Sequence, residues 1–115
     1  MSAATTIQSI FESAGATAKI SSIHVNGWFG DYDKLAMTDV LFREVFRVTI
    51  DEAREQAVFC GDSPNDSPMF AYFGNSVGVA NIHAFVNELT VRPTWVTRAE
   101  GGYGFAEMVK VLLDR

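Results

Sequence analysis

The stretch Ala57-Val58-Phe59-Cys60-Gly61-Asp62-Ser63-Pro64-Asn65-Asp66 decides how this chain reads. Its first four residues form a short, continuous apolar run, the pattern of a strand covered on both faces. Gly61 lets the backbone turn sharply, and a polar loop continues to Asp66. In parallel α/β sheets, ligands bind outside the carboxyl ends of the strands, and this loop occupies that position. Magnesium takes oxygen ligands and is commonly held by one or two carboxylates plus substrate phosphate. Asp62, with Asp66 after it, is placed as such a ligand. Asn65 offers an amide donor to a phosphate oxygen, and free backbone N–H groups near Asp66 would add to anion binding. Singly, each Asp could be a turn residue or a helix cap. As one string after a buried strand, they read as a site.

Downstream, the rhythm is that of a parallel sheet. Pro68 to Tyr72 reads as a short helix, Val77-Gly78-Val79-Ala80 as a second buried strand, His83 to Leu89 as a second short helix, and Thr94 to Thr97 as a third strand. A last helix shows Phe105, Met108, Val109, Leu112 and Leu113 at amphipathic spacing, with Glu100-Gly101-Gly102 as a flexible lead into it. Strands alternating with helices imply a parallel sheet with crossovers.

Upstream, the pattern differs. Thr5 or Thr6 can cap a first helix carrying Ile7, Ile10, Phe11 and Ala14, and Gly15 would end it. Ile20 to Trp28 has period two, with Ile23 and Val25 on one face and Ser22, His24 and Asn26 on the other, which suits an antiparallel sheet. Asn26-Gly27 and Gly30-Asp31 supply turn chemistry. A helix is expected from about Lys34 to Val48, with Met37, Leu41, Val45 and Val48 as its buried stripe and Asp31 and Asp33 at its positive end.

Length and composition set the class. At 115 residues the chain is one domain at most, and 48% apolar with 20% charged residues is ordinary for a globular chain. Nine basic against fourteen acidic residues, a net charge of −5, disfavour a nucleic-acid partner. No apolar run approaches the ~20 residues that span a bilayer, and no secretory signal follows Met1. The single Cys60 excludes an internal disulfide and fits a reducing, cytoplasmic setting. Cys60 reads as a small buried hydrophobe, His24 and His83 lack metal-ligand spacing, and Trp28 and Trp95 read as packing residues.

Gly61-Asp62-Ser63-Pro64-Asn65-Asp66, followed by Pro68-Met69-Phe70, resembles the fourth motif of haloacid-dehalogenase-superfamily phosphatases, in the subgroup with a large α/β cap. The likeness continues through Val77-Gly78-Val79-Ala80-Asn81 and Glu100-Gly101-Gly102-Tyr103-Gly104-Phe105-Ala106-Glu107. It implies a partial doubly wound, Rossmann-like sheet over residues 33–115, with residues 1–32 as the end of the cap. It implies magnesium as cofactor, with Asp62 and Asp66 at the metal, and a small phosphorylated metabolite such as a sugar phosphate as substrate. Lys34 in Asp33-Lys34-Leu35 matches the family's third-motif lysine, whose role is to neutralise charge on the nucleophile and the phosphoryl group. Asp62 and Lys34 are thus the expected catalytic residues, and Asn65 and Lys34 the substrate-binding ones.

The family's nucleophile, the first Asp of an Asp-x-Asp-Gly-Thr motif after an apolar strand, has no counterpart. Asp31-Tyr32-Asp33 has the spacing but is followed by Lys34-Leu35 and reads as a helix-start pair. The expectation is therefore a C-terminal portion of a longer hydrolase, inactive alone, its open sheet edge covered by a second copy or by the missing half. A non-catalytic folding or interaction module is the competing expectation. A phosphomutase of the same superfamily would need the same absent aspartate.

Overall fold

In the computed structural model, which describes residues 2–21 and 23–114, two small sheets carry the architecture. Helix α1 (Ala3–Ser13) packs on an antiparallel hairpin of β1 (Thr17–Ile20) and β2 (Val25–Trp28). Then come α2 (Lys34–Leu41), a π-helical turn (Phe42–Phe46) and the short α3 (Ile50–Ala53). The remainder is β3 (Phe59–Gly61), a 3-10 turn (Pro64–Asp66), α4 (Ser67–Tyr72), β4 (Ser76–Gly78), a 3-10 segment (Ala80–Phe85), β5 (Trp95–Val96) and α5 (Gly101–Leu113). The sheet β3-β4-β5 is parallel throughout, pairing Phe59 with Ser76, Cys60 with Val77, and Val77 with Trp95. The mixed α/β class and Rossmann-like parallel sheet expected from the sequence are therefore present.

The core lies where β4 meets α4. Phe73 (2% exposed), Phe70, Met69, Val77, Val79 and Ile82 are buried there, with Phe59 edge-on to Phe70 at 5.6 Å between ring centroids. Ser76 is fully buried because its Oγ accepts the Thr94 N–H at 3.0 Å, stitching β4 to the segment entering β5. In the N-terminal layer, Ala16 and Ala18 are buried. Gly27 is there because the Phe11 ring lies where a side chain would start. β1 in turn touches the Pro64–Asp66 turn, so the two layers meet beside the polar loop.

Several expectations are corrected. The first helix starts three residues early, capped by Ser2, whose Oγ accepts the Thr5 N–H, and not by Thr5 or Thr6. The expected strand Ile20–Trp28 is the end of β1, a turn, and β2. The reversal is closed by Ser21, whose N–H and hydroxyl both donate to the His24 carbonyl, while Asn26-Gly27 lies inside β2. Ser22, expected on the polar face, lies outside the described residues.

The helix from Lys34 does not run to Val48. It loosens into the π turn and stops at Arg47, which adopts a left-handed conformation (φ 58°). Thr49 then opens α3 through a reciprocal capping box with Glu52, a Thr-x-x-Glu signature visible in the sequence. Met37, Leu41, Val45 and Val48 are exposed, not buried. The packed face of α2 is instead the half-buried set Leu35, Thr38, Asp39 and Phe42, rotated toward α4.

The strands are shorter than expected. Val58, expected to be covered on both faces, is 40% exposed, and the expected strands at 77–80 and 94–97 shrink to Ser76–Gly78 and Trp95–Val96. The expected helix 83–89 is a 3-10 segment over 80–85. Trp95, expected as a packing residue, is 56% exposed. In α5, Phe105, Leu112 and Leu113 are exposed, and Gly101-Gly102 is the first turn of the helix, not a lead into it. The packed face of α5 is Gly104, Glu107 and, as expected, Met108 and Val109. Among the described residues no helix is long and apolar enough to cross a membrane.

Phe73 is the largest side chain fully enclosed by this small core. Phe73→Ala is expected to lower unfolding free energy by about 3–5 kcal/mol, the usual cost of emptying an aromatic site. Urea denaturation followed by circular dichroism measures it, and a loss below about 1 kcal/mol would show that the site collapses or is not enclosed.

Candidate phosphate and metal site

The polar loop is organised around one carboxylate. Asp66 is 2% exposed, and its Oδ2 accepts the backbone N–H groups of Asp62 (3.0 Å) and Ser63 (3.3 Å). Gly61 is required here, since an added Cβ would come within 2.7 Å of the Asp66 carboxyl carbon. The Asp66 N–H donates back to the Ser63 carbonyl at 3.0 Å, closing the 3-10 turn. The Ser63 hydroxyl donates to Asn65 Oδ1 at 2.8 Å. Three backbone N–H groups of this loop, those of Asp62, Ser63 and Asp66, are therefore taken up in holding its shape.

Lys34 arrives from α2. Asp33 caps that helix by accepting the Ala36 N–H at 2.8 Å, which places Lys34 as its first residue. The Lys34 ammonium donates to Asp66 Oδ1 in an ion pair whose acid is buried and whose base is 48% exposed. Lys34, Asp62 and Asp66 line one cavity of about 350 Å³ together with Phe59, Cys60, Gly61, Val79, Gly101, Gly102 and Phe105. Three of the four candidate residues are thus brought together. Asn65 is on the same loop but outside that lining, with its carbonyl oxygen committed to Ser63.

Asp31 is exposed in the loop before α2, and Asp33 is committed to its cap, so neither stands at a strand end. His24 and His83 are exposed. Cys60 is half-buried, and burial, followed by the charges of Asp66 and Asp62, pushes its thiol above the ordinary cysteine value. A thiol so disfavoured as thiolate is a poor nucleophile.

The sequence reading missed Gly101 and Gly102. They follow the carboxyl end of β5, and the rule that ligands gather at those ends would have pointed to them.

The donor set fits a magnesium ion. Two carboxylates within one cavity suffice when phosphate and water complete the shell. Among the described residues there is no group of three or more His, Cys, Asp and Glu side chains able to hold a metal. Asp66 has both carboxylate oxygens engaged, Oδ1 by the Lys34 ammonium and Oδ2 by the loop N–H groups.

No family model matches the chain, and no curated protein matches it. A solved structure does: the haloacid dehalogenase-like hydrolase protein yhjK from Bacillus subtilis, with a TM-score of 0.53 and 22% identity. The likeness covers 97% of this chain and 42% of that one, so the chain spans less than half the length of the hydrolase it matches. At this identity the likeness is one of fold.

If Asp66 organises the site, its removal strands two loop N–H groups and releases Lys34. Asp66→Ala is expected to destabilise the chain by about 1–3 kcal/mol, the penalty for unsatisfied buried groups. Urea unfolding reads this directly. Lys34→Met leaves the buried Asp66 carboxylate without its counter-charge and should destabilise by a similar amount; no loss in either variant would show that the pair does not anchor the site.

Proposed function

We propose that this chain supplies the metal-binding and electrostatic half of a magnesium-dependent phosphate-ester hydrolase. The observation that carries the reading is the meeting of Asp62, Lys34 and Asp66 in one cavity at the carboxyl end of a parallel strand. The fold likeness to a haloacid dehalogenase-like hydrolase supports it. In this reading Asp62 holds magnesium, which neutralises phosphate charge when bound. The Lys34 ammonium stands where it offsets negative charge on the phosphoryl oxygens. Asp66 fixes the distance between the two.

The attacking carboxylate comes from outside this set. Phe59 N–H bonds Asn75 and the Gly61 carbonyl accepts Val79 N–H, both on the β4 side. Strand alternation therefore turns the Cys60 peptide groups toward the side of β3 that pairs with nothing among the described residues. A strand added there would end beside Asp62 and could present an aspartate to the cavity. Its source is a second polypeptide or further chain, and residues 1–32 are read as the end of a cap over the site. Small phosphorylated metabolites, sugar phosphates among them, are the substrate class.

The test is hydrolysis of p-nitrophenyl phosphate by the purified chain with and without magnesium, beside calorimetric titration of magnesium in the presence of orthophosphate. The expected result is no turnover, with magnesium binding that Asp62→Ala abolishes. Turnover lost in Asp62→Ala would move the nucleophile into this chain, to Asp31 or Asp33. Absence of magnesium binding would favour a non-catalytic interaction module.

A further inference from the structure

One wall of the cavity comes from neither β3 nor α2. It is the first turn of α5, where Gly101, Gly102 and Phe105 face Asp62 and Lys34. Gly101 has φ +53°, and a Cβ added at Gly101 or Gly102 would meet nothing within 4 Å, so no side-chain packing of its own holds this turn. It is held from behind. Asn81 Oδ1 accepts the Gly101 N–H at 2.7 Å. Glu107, further along α5, reaches back so that Oε2 accepts the N–H groups of Arg98 and Ala99, each at 3.0 Å, and Oε1 lies 3.2 Å from the same Arg98 nitrogen. The Thr97 hydroxyl and the Ala80 N–H both donate to the Ala99 carbonyl, at 2.8 and 3.2 Å. Gly104 completes the clamp, because a Cβ there would strike Ala99 O and lie 2.6 Å from Thr97 Oγ1.

We propose that Glu107 is a positioning residue for the phosphate site: by gripping the loop before α5 it sets the Gly101–Gly102 wall against Asp62. Glu107 does not line that cavity and acts only through the loop. The inference rests on the phosphate-ester reading above. The demand is for reach and acceptor oxygens more than for charge. Gln keeps one oxygen that can take both N–H groups, whereas Asp is one methylene short and loses both.

The test follows the amide resonances of Asp62, Gly101 and Gly102 in the ¹⁵N-labelled full chain, titrated with inorganic phosphate at saturating magnesium. All three amides are expected to shift saturably, and Asp62→Ala should abolish the response. Glu107→Ala and Glu107→Asp should weaken phosphate binding about tenfold, as loss of a supporting partner usually does, while Glu107→Gln retains most of it. Unchanged affinity in a folded Glu107→Ala, with only a lowered melting temperature, would reduce Glu107 to a structural role and overturn the proposal. If the variants do not fold, the wild-type spectrum decides. A shift at Asp62 without one at Gly101 and Gly102 overturns the proposal and leaves the phosphate reading standing. No saturable shift anywhere removes both.

Glu107 also gives the chain an acid-sensitive joint. The Ala99 and Arg98 N–H groups hold its carboxyl below the usual value of 4.5. A depressed carboxyl contributes stability above its ordinary value, and that contribution is lost as pH falls through the lowered one. The melting-temperature gap between wild type and Glu107→Gln is therefore expected to be full above about pH 4.5 and to close on further acidification. A gap independent of pH would show that the N–H contacts do not favour the charged form.

Discussion

The site depends on a single buried carboxylate. Asp66 is almost wholly removed from water, which is costly for a charge unless hydrogen bonds and an opposite charge replace the lost solvent. Here two loop N–H groups and the Lys34 ammonium do so. Each contact also has a geometric consequence. The N–H groups bend the loop so that Asp62 leaves the end of β3 toward the cavity. The ion pair draws the first turn of α2 to the same place. Gly61 follows from the same requirement, because the carboxylate occupies the space a side chain would need. One residue thus fixes the relation between two elements that are otherwise in little contact.

The rest of the molecule is thinly held. Its radius of gyration, 15.5 Å, exceeds the ~13 Å expected for a chain of this length. Large apolar side chains stand in solvent on α2, on α5 and at the β5 strand. Those of α5 and β5 wall a second, mainly apolar cavity of about 700 Å³, with Trp95, Val96, Val111 and Leu112 beside Val58 and Val77. An apolar patch of this kind marks a surface that another element covers. On the proposed reading these surfaces and the unpaired edge have one cause: a further strand and its helices belong against them.

Much of this was legible in the residues. The apolar run before Gly61, the polar loop and the alternation downstream were sufficient for a parallel sheet with a site at one strand end. Asp62 and Asp66 could be placed together because a strand end followed by a helix start has a local signature, whereas Lys34 joined them only through the resemblance of Asp33-Lys34-Leu35 to a family motif. What could not be read was anything that depends on which face meets a neighbour. The 3.6-residue period of α2 accommodates either Met37-Leu41-Val45 or Leu35-Thr38-Phe42, and only the position of α4 selects the second. The turn at Ser21–His24 was hidden because its residues continue the alternating pattern of the strands they separate, while Asn26-Gly27, a common turn pair, was recruited into β2 to make room for Phe11. The loop N–H groups, expected to add to anion binding, have local partners for a related reason. A side chain three and four residues away, Asp66, claims those of Ser63 and Asp62.

That last competition bears on where phosphate could be met. A loop that turns two of its N–H groups onto its own aspartate meets an incoming phosphate mainly through its side chains and whatever they hold. Charge in the cavity is two carboxylates against one ammonium, a net negative field that would repel a phosphate dianion. On the proposed reading a divalent cation at Asp62 would reverse that sign, which is the physical reason a metal would have to precede a phosphate ester there. The remaining wall, the glycine turn of α5, presents backbone rather than charge, and so can stand close to the phosphate without deciding its sign. Geometry at that wall then depends on the loop behind it, and hence on a carboxylate that never enters the cavity.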